Sequence, residues 1–175
     1  MVYILGYALV VLAVVLRLVP HPPNFAPIAA LALFGGVYLN RRMALIIPLA
    51  AMLVSDYVIG FYSYKIMLSV YGSFLLVGLL GFWLRNHKSV ANVFGISLVG
   101  STLFYLITNF AVWAFGTMYP KTLAGLLASY TMAIPFFRNT ILGDMFYTGL
   151  LFGTYELAHY LMTRRAGVQT QVSSS

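Results

Sequence analysis

Two charged residues stand out in the segment AIPFFRNTILGDMFYTGLLFG, which runs from Ala133 to Gly153. Arg138 lies six residues before Asp144 in an otherwise apolar stretch, and the whole chain has only three acidic residues. A charge in the middle of a membrane helix costs roughly 2.5–3.5 kcal/mol on insertion scales, so such residues usually pair or face a wet cavity. The two residues therefore indicate either a polar binding pocket or a structural ion pair, in which Asp144 contacts Arg138 or Arg17.

Other polar and aromatic residues are expected at the same end of the protein. Asp56 lies near the end of an apolar run, where a carboxylate opposes the helix dipole, so a purely local role does not explain it. Asn139 is also a candidate N-cap of the last helix, and Trp113 also suits an aromatic belt at the membrane interface. The predicted substrate-binding residues are Asn24, Asp56, Asn109, Trp113, Arg138, Asn139 and Asp144.

The composition indicates which elements position these residues. Hydrophobic residues make up 62% of the 175 and charged residues 7%, with a mean hydropathy of +0.93, whereas soluble domains carry roughly 25% charged residues. We therefore predict an all-α integral membrane protein, with one bundle over residues 1–163 and a disordered cytoplasmic tail over residues 164–175. The net charge of +7 comes from thinly spread basic residues, which favours lipid contact over nucleic-acid binding.

Apolar runs broken by charges, Pro and Gly predict six transmembrane helices in one bundle, since about 20 apolar residues cross a bilayer. The N-terminal run has no basic n-region and no small-residue cleavage site, which favours a retained helix over a signal peptide. The run Lys121–Phe137 predicts a short interfacial or re-entrant helix, with a seventh span as the alternative. The predicted spans are Val2–Val19, Pro27–Asn40, Met43–Phe61, Ile66–Leu84, Ser89–Phe115 and Thr140–Met162.

The basic residues predict how these spans are oriented. Six of the ten basic residues lie in the short segments NRR, RNHK and TRR. If these segments are cytoplasmic, six spans alternate and both termini are inside, as the positive-inside rule favours. The segment PHPPN then forms the first outer loop, and the predicted binding residues lie near the outer ends of their helices.

The inner end carries the only glutamate of the chain. Glu156 and His159 have the E-x-x-H spacing of di-metal sites, but such sites need further glutamates. We therefore predict no metal and no cofactor, and expect Glu156 to pair with Arg41, Arg42 or Arg85. Cysteine is absent, which excludes disulfides and thiol chemistry. Nucleotide-binding, metalloprotease and serine-hydrolase motifs are also absent, so the protein is predicted not to be an enzyme.

Small residues four positions apart predict close contacts between helices in lipid. This spacing occurs at Ala26–Ala30 and Ala32–Gly36 in the second predicted span, and at Gly149–Gly153 in the last. Packing inside the bundle is one interpretation, and docking of another membrane protein is the other. The predicted docking residues are Ala29, Ala32 and Gly36.

Four segments carry a family resemblance: NFAPIAALALFGG, PLAAMLVSDYVIGFY, LITNFAVW and MYPKTLAGLLASYTMAIPFFRNTILGD. Over about Pro22–Gly153 they resemble an uncharacterised family of bacterial six-helix membrane proteins. Its architecture resembles the substrate-binding S components of energy-coupling-factor vitamin transporters. This implies a location in the bacterial inner membrane, a vitamin-like ligand beneath a lid formed by PHPPNFAP, and a coupling subunit and ATPases as partners. The A-x-x-x-A pattern of many S components is missing from the first span, and its nearest match, Ala26–Ala30, begins the second.

The sequence therefore predicts a substrate-binding membrane subunit of an importer for a small vitamin-like molecule, energised by partner subunits. One alternative is a non-catalytic scaffold that binds other membrane proteins through its small-residue faces. Another is a proton-coupled carrier that uses Asp56 and Asp144. A mixed Asp, Arg and Asn site with aromatic residues favours a zwitterionic or heterocyclic ligand.

Overall fold

The computed structural model describes residues 22–172 and, before them, only positions 4, 7–8, 11–12, 15–16 and 19. The predicted first span, Val2–Val19, therefore lies almost entirely outside the described residues. Every regular element within residues 22–172 is a helix. These helices are α1 (Ile28–Tyr38), α2 (Arg41–Ile59), α3 (Tyr64–Asn86), α4 (Val90–Phe115), α5 (Leu123–Met132) and α6 (Ile134–Val172).

Three of these helices are long and apolar enough to cross a membrane, namely α2, α3 and α4, with 19, 23 and 26 residues. Many large apolar side chains lie exposed on the surface of the bundle. Tyr57 on α2 has the largest exposed fraction among them, 78%. Extended apolar surface is rare on soluble monomers, so these features indicate a membrane-associated protein. Among the described residues, α1 is too short to count as a span at 11 residues, and polar and charged residues interrupt α6.

The predicted helix boundaries agree with the structure to within a few residues for α1 to α4. The short helix α5 has 10 residues and confirms a separate short helix before the last long one, in place of a seventh span. Its N-cap is Thr122, whose hydroxyl accepts a hydrogen bond from the Gly125 amide at 3.2 Å. The α6 backbone is helical to Val172, and the disordered tail over residues 164–175 stays a prediction. The segment after residue 164 contains no Pro and includes Arg, Ala and Gln, which are good helix formers.

Helix α1 forms the centre of the bundle and contacts α2, α3, α4 and α6. Its residues from Ile28 to Val37 are all buried. At its closest crossing with α3, a Cβ atom on Gly36 would lie 2.6 Å from the Gly78 carbonyl oxygen and 2.7 Å from the Gly81 Cα. Only residues without a side chain fit this contact, which is the close approach that small residues permit.

This burial corrects the predicted docking face. Ala29 and Ala32 are 7% and 1% exposed, and Gly36 is covered by α3. All three therefore pack within the chain, so the interpretation as internal packing describes them. The glycines of the last predicted span differ, because a Cβ on Gly153 would meet no atom within 4 Å.

Polar contacts close the end of the bundle at which α1 and α3 terminate. Arg85 donates from Nε and Nη2 to the Gly36 carbonyl at 3.0 and 2.7 Å, and from Nη2 to the Leu39 carbonyl. Glu156 pairs with Lys88 and accepts a hydrogen bond from the Tyr38 hydroxyl. The prediction that Glu156 pairs with Arg41, Arg42 or Arg85 is therefore wrong. Arg85 instead satisfies carbonyl groups that α1 leaves without helical partners.

Candidate functional site

Three predicted site residues line one cavity at the opposite end of the bundle. The cavity has a volume of about 300 Å³ and is bounded by α1, α2, α3, α4, α6 and the segment before α1. Its polar groups include Asn24, Asp56 and Asp144, and its walls include the rings of Phe74 and Phe104. Mostly apolar walls with a few convergent polar groups are typical of small-molecule sites. This cavity is therefore the candidate functional site.

Asp144 is the most enclosed of its acidic groups, with only 3% of its surface exposed. Its Oδ2 atom accepts a hydrogen bond of 2.6 Å from the hydroxyl of Ser101, on α4. No hydrogen bond to its Oδ1 atom comes from the described part of the chain. The carboxylate is thus held by one neutral donor, and it borders the cavity.

Arg138 does not pair with Asp144 within the residues that the structure describes. Residues six positions apart on an α-helix, at about 100° per residue, point to different sides. Arg138 accordingly lies exposed, while Asp144 faces the bundle. The proposed pair is therefore replaced by the Ser101–Asp144 bond, and the alternative partner Arg17 lies outside the described residues.

Asp56 approaches the same cavity from the last turn of α2 and is 4% exposed. Its Oδ2 atom accepts a hydrogen bond of 2.9 Å from the hydroxyl of Tyr71, on α3. Two carboxylates from different helices therefore border one small space.

The segment before α1 closes part of the cavity through a tight turn. The Phe25 amide donates to the Pro22 carbonyl at 3.0 Å, and Asn24 has a φ of 64°. Proline at the second position and a left-handed residue at the third define a type II turn, and Asn tolerates this conformation better than most residues. The turn directs Asn24 to the cavity.

Helix α6 anchors this turn. The side-chain amide of Asn139 donates to the Pro23 carbonyl at 3.1 Å. The ring of Phe25 packs against Tyr147 at a centroid distance of 5.6 Å, and a Cβ on Gly143 would lie 3.0 Å from the Phe25 Cα. Asn139 therefore has a positioning role, and within the described residues it does not border the cavity.

The remaining two predicted residues lie away from the two carboxylates. Asn109 borders an adjoining cavity of about 260 Å³, which shares Asn24 and Phe104 with the first. Its amide donates to the Tyr105 carbonyl at 2.8 Å. Trp113 donates from Nε1 to the Pro120 carbonyl at 3.1 Å, so it holds the loop between α4 and α5 and borders neither cavity.

Three polar residues of the site were not predicted: Thr140, which borders the cavity, and Tyr71 and Ser101, which bond to its two carboxylates. Thr140 lies four residues before Asp144 and therefore on the same helix face, a signal that the sequence does carry. It borders both adjoining cavities. Tyr71 and Ser101 lie on other helices, and no local spacing relates them to Asp56 or Asp144.

A larger cavity, of about 390 Å³, lies between α4 and α6 at the end closed by Arg85. Its walls are apolar, and its polar groups include Tyr38, Lys88 and Glu156, which bond to one another. Since these groups satisfy each other, they leave little for a polar ligand. No group of three or more His, Asp or Glu side chains in the described residues is placed to hold a metal ion.

Comparison with known proteins gives one match. Residues 2–166 match the model of DUF6580, a family of unknown function. No curated protein and no solved structure matches the chain. The match includes every residue of the candidate site, but the function of the family is unknown.

Proposed function

This chain belongs to DUF6580, and we propose that it is the substrate-binding subunit of a membrane importer for a small, vitamin-like molecule. The observation that supports this proposal is the cavity bordered by Asn24, Asp56 and Asp144, which the turn before α1 partly closes. A volume of about 300 Å³ is at the lower end of the range for small-molecule sites. Buried carboxylates in a membrane protein are energetically costly, and such residues usually have a function.

The proposal includes an arrangement in the membrane. In it the N-terminal segment, α1 and α6 join the three apolar helices to give six spans in the bacterial inner membrane. Both termini are cytoplasmic, and the cavity opens outward. The basic residues Arg41, Arg85 and Lys88 lie at the other end of the bundle, as the positive-inside rule favours for the cytoplasmic side.

The chain contains no nucleotide-binding motif, so in this proposal partner subunits supply the energy. A transmembrane coupling subunit and ATPases would do so, and the chain itself would be non-enzymatic. The turn at Pro22–Phe25 would act as the lid over the ligand. Its anchors on α6, Asn139 and Gly143, keep it next to the cavity.

A proton-coupled carrier is the second candidate, and one observation favours it. Buried hydroxyls lie between the candidate cavity and the larger cavity: Ser101 contacts Asp144 and the Ser97 carbonyl, and the Ser97 hydroxyl lies 3.3 Å from that of Thr148. Thr148 borders the larger cavity. Hydroxyl groups can pass protons between two sites. A carrier must also show uptake in liposomes that contain this protein alone. Loss of pH-dependent uptake in Ser97→Ala would support the carrier.

The third candidate, a scaffold, would bind protein partners through small-residue faces, and the importer was expected to dock its coupling subunit through Ala29, Ala32 and Gly36. These residues are buried, so either role would need another face. In a scaffold the carboxylates Asp56 and Asp144 would serve folding alone. Replacing them would then lower stability without any effect on a small molecule.

Native mass spectrometry of the gently solubilised full-length protein tests the proposal. We expect a discrete small-molecule adduct, which Asp144→Asn removes while the protein keeps its helical circular-dichroism spectrum. Glu156→Gln is the matched control, because it changes a carboxylate on the same helix outside this cavity. Wild-type protein that carries no adduct and retains a protein partner instead would overturn the proposal in favour of a scaffold.

A further inference from the structure

The charges around the cavity define the class of ligand more narrowly than the sequence does. Asp144 and Asp56 border it, and no basic side chain is among its described lining residues. A zwitterionic ligand, as the sequence favours, needs a cation in the site to meet its negative group. The residue expected to supply that cation, Arg138, lies exposed outside the cavity.

Two other described basic residues at this end, Lys65 and Lys121, have contacts elsewhere. Lys65 lies over the rings of Tyr64 and Phe115, at 5.9 and 5.4 Å from their centroids. Lys121 donates to the carbonyls of Trp113 and Gly116, at the end of α4. Neither lysine borders the cavity, so the described part of the chain offers no cation there.

The carboxylate of Asp144 has no opposite charge beside it among the described residues. It is 3% exposed and accepts one hydrogen bond, from the neutral hydroxyl of Ser101. A buried ionised carboxylate is costly without an opposite charge. A positively charged ligand would supply that charge and would form a charge-assisted hydrogen bond, which is roughly twice as strong as a neutral one.

The aromatic walls suit a cation with a flat apolar body. Phe74 and Phe104 lie at a centroid distance of 5.2 Å with their planes inclined by 31°, and Tyr62 also borders the cavity. Ring faces attract cations and stack against other rings. Resting on the proposed binding function, we infer that the ligand is an organic cation, with a protonated nitrogen at Asp144 and a planar apolar body against the aromatic wall of the cavity.

A matched series of probes tests this inference: tryptamine, which is cationic, tryptophol, which is neutral, and indole-3-acetate, which is anionic. The three compounds share one ring and differ in the charged group. Their affinities for the full-length protein in detergent are measured by thermal shift. We expect tryptamine to bind at least 10-fold more tightly than either other probe, because only tryptamine can offset the charge of Asp144.

Variants assign the preference to the carboxylate. Asp144→Asn should remove the advantage of tryptamine, whereas Arg138→Ala and Glu156→Gln should keep it. If Asp144→Asn fails to fold, Asp144→Ser, in which a small neutral hydroxyl replaces the carboxylate, gives the same comparison. A preference for tryptamine that survives in folded Asp144→Asn or Asp144→Ser would overturn the inference.

The outcomes separate this inference from the proposed function. Equal binding of the three probes, or a preference for indole-3-acetate, would overturn the cationic ligand and leave a binding protein. A pair between Asp144 and Arg17 predicts that result. An adduct in the native mass spectrum whose mass identifies an acid would have the same meaning. No binding of any probe, together with no adduct in the wild type, would overturn both.

Discussion

The carboxylates at the two ends of the bundle have different kinds of partner. At one end Glu156 has both a cation, Lys88, and a hydroxyl donor, Tyr38. At the other end Asp144 is more deeply buried and has only the hydroxyl of Ser101 among the described residues. The first carboxylate has an opposite charge within the chain, and in our proposal the ligand supplies the opposite charge to the second.

The partners of these carboxylates indicate the roles of the few polar groups in this apolar chain. Both ends have a cavity, and the larger one lies beside Glu156. Cavity size alone would therefore point to the end at which the polar groups bond to one another. Charge favours the smaller cavity instead, because Asp144 borders it and no described residue supplies an opposite charge to Asp144. We therefore call the two ends the closed end, with Glu156, and the open end, with Asp144.

The largest effect is expected from the helix crossing next to the closed end. In Gly36→Ala the new Cβ would lie 2.6 Å from the Gly78 carbonyl oxygen, so α1 and α3 must separate. We expect the free energy of unfolding to fall by about 3 kcal/mol, as for overpacking against a rigid neighbour. Gly153→Ala is the control, because its Cβ would meet no atom within 4 Å. Unfolding by denaturing detergent gives both values, and equal values would contradict the crossing.

Arg85 should give the next largest effect, also at the closed end. Arg85→Met keeps the length of the side chain but removes its hydrogen bonds to the carbonyls of Gly36 and Leu39. Buried acceptors left unsatisfied cost roughly 1–3 kcal/mol, so we expect the unfolding free energy to fall by about 2 kcal/mol. Arg85→Lys should recover only part of it, because an ammonium group lacks the planar fork of a guanidinium. Full recovery would show that charge alone matters.

The closed end also shows why much of the fold was predictable from sequence and some contacts were not. Helix positions follow from apolar runs and their breaks, and α2, α3 and α4 match their predicted ranges closely. The sequence allowed two interpretations of Ala32 and Gly36, packing within the bundle and docking of another protein. Small-residue spacing predicts a close contact but does not identify the partner. The partner of Glu156 was wrong because the choice among nearby cations depends on helix rotation, which spacing alone does not give.

The open end was predictable in part for the same reason. Depth in the membrane places Asp56 and Asp144 at one level, and the structure brings them to one cavity. Depth does not tell which way a side chain points. Arg138 and Trp113 share the level but face away from the cavity, and Asn139 holds the turn before α1. The zwitterionic ligand class inferred from sequence therefore relied on a basic side chain, Arg138, that is not among the described lining residues of the cavity.

A moderate effect is expected where α6 anchors the turn over the open end. Asn139→Ala removes the hydrogen bond to the Pro23 carbonyl, which is worth about 1 kcal/mol. We expect the bound small molecule to dissociate roughly fivefold faster, with little change in the unfolding temperature. Arg138→Ala is the control, because it alters the neighbouring exposed residue. Time-resolved native mass spectrometry measures the release, and equal rates would show that the turn is not a lid.

The smallest effect is expected from the ion pair of the closed end, and it tests whether the two ends are independent. Lys88 and Glu156 have side-chain exposures of 41% and 45%, and exposed pairs contribute roughly 0.2–1 kcal/mol. We therefore expect Lys88→Met to lower the unfolding free energy by about 0.5 kcal/mol and to leave tryptamine affinity unchanged. A double-mutant cycle with Glu156→Gln isolates the pair. A change in affinity would instead couple the two ends, and the buried hydroxyls of Ser97 and Thr148 between them would then favour the proton-coupled carrier.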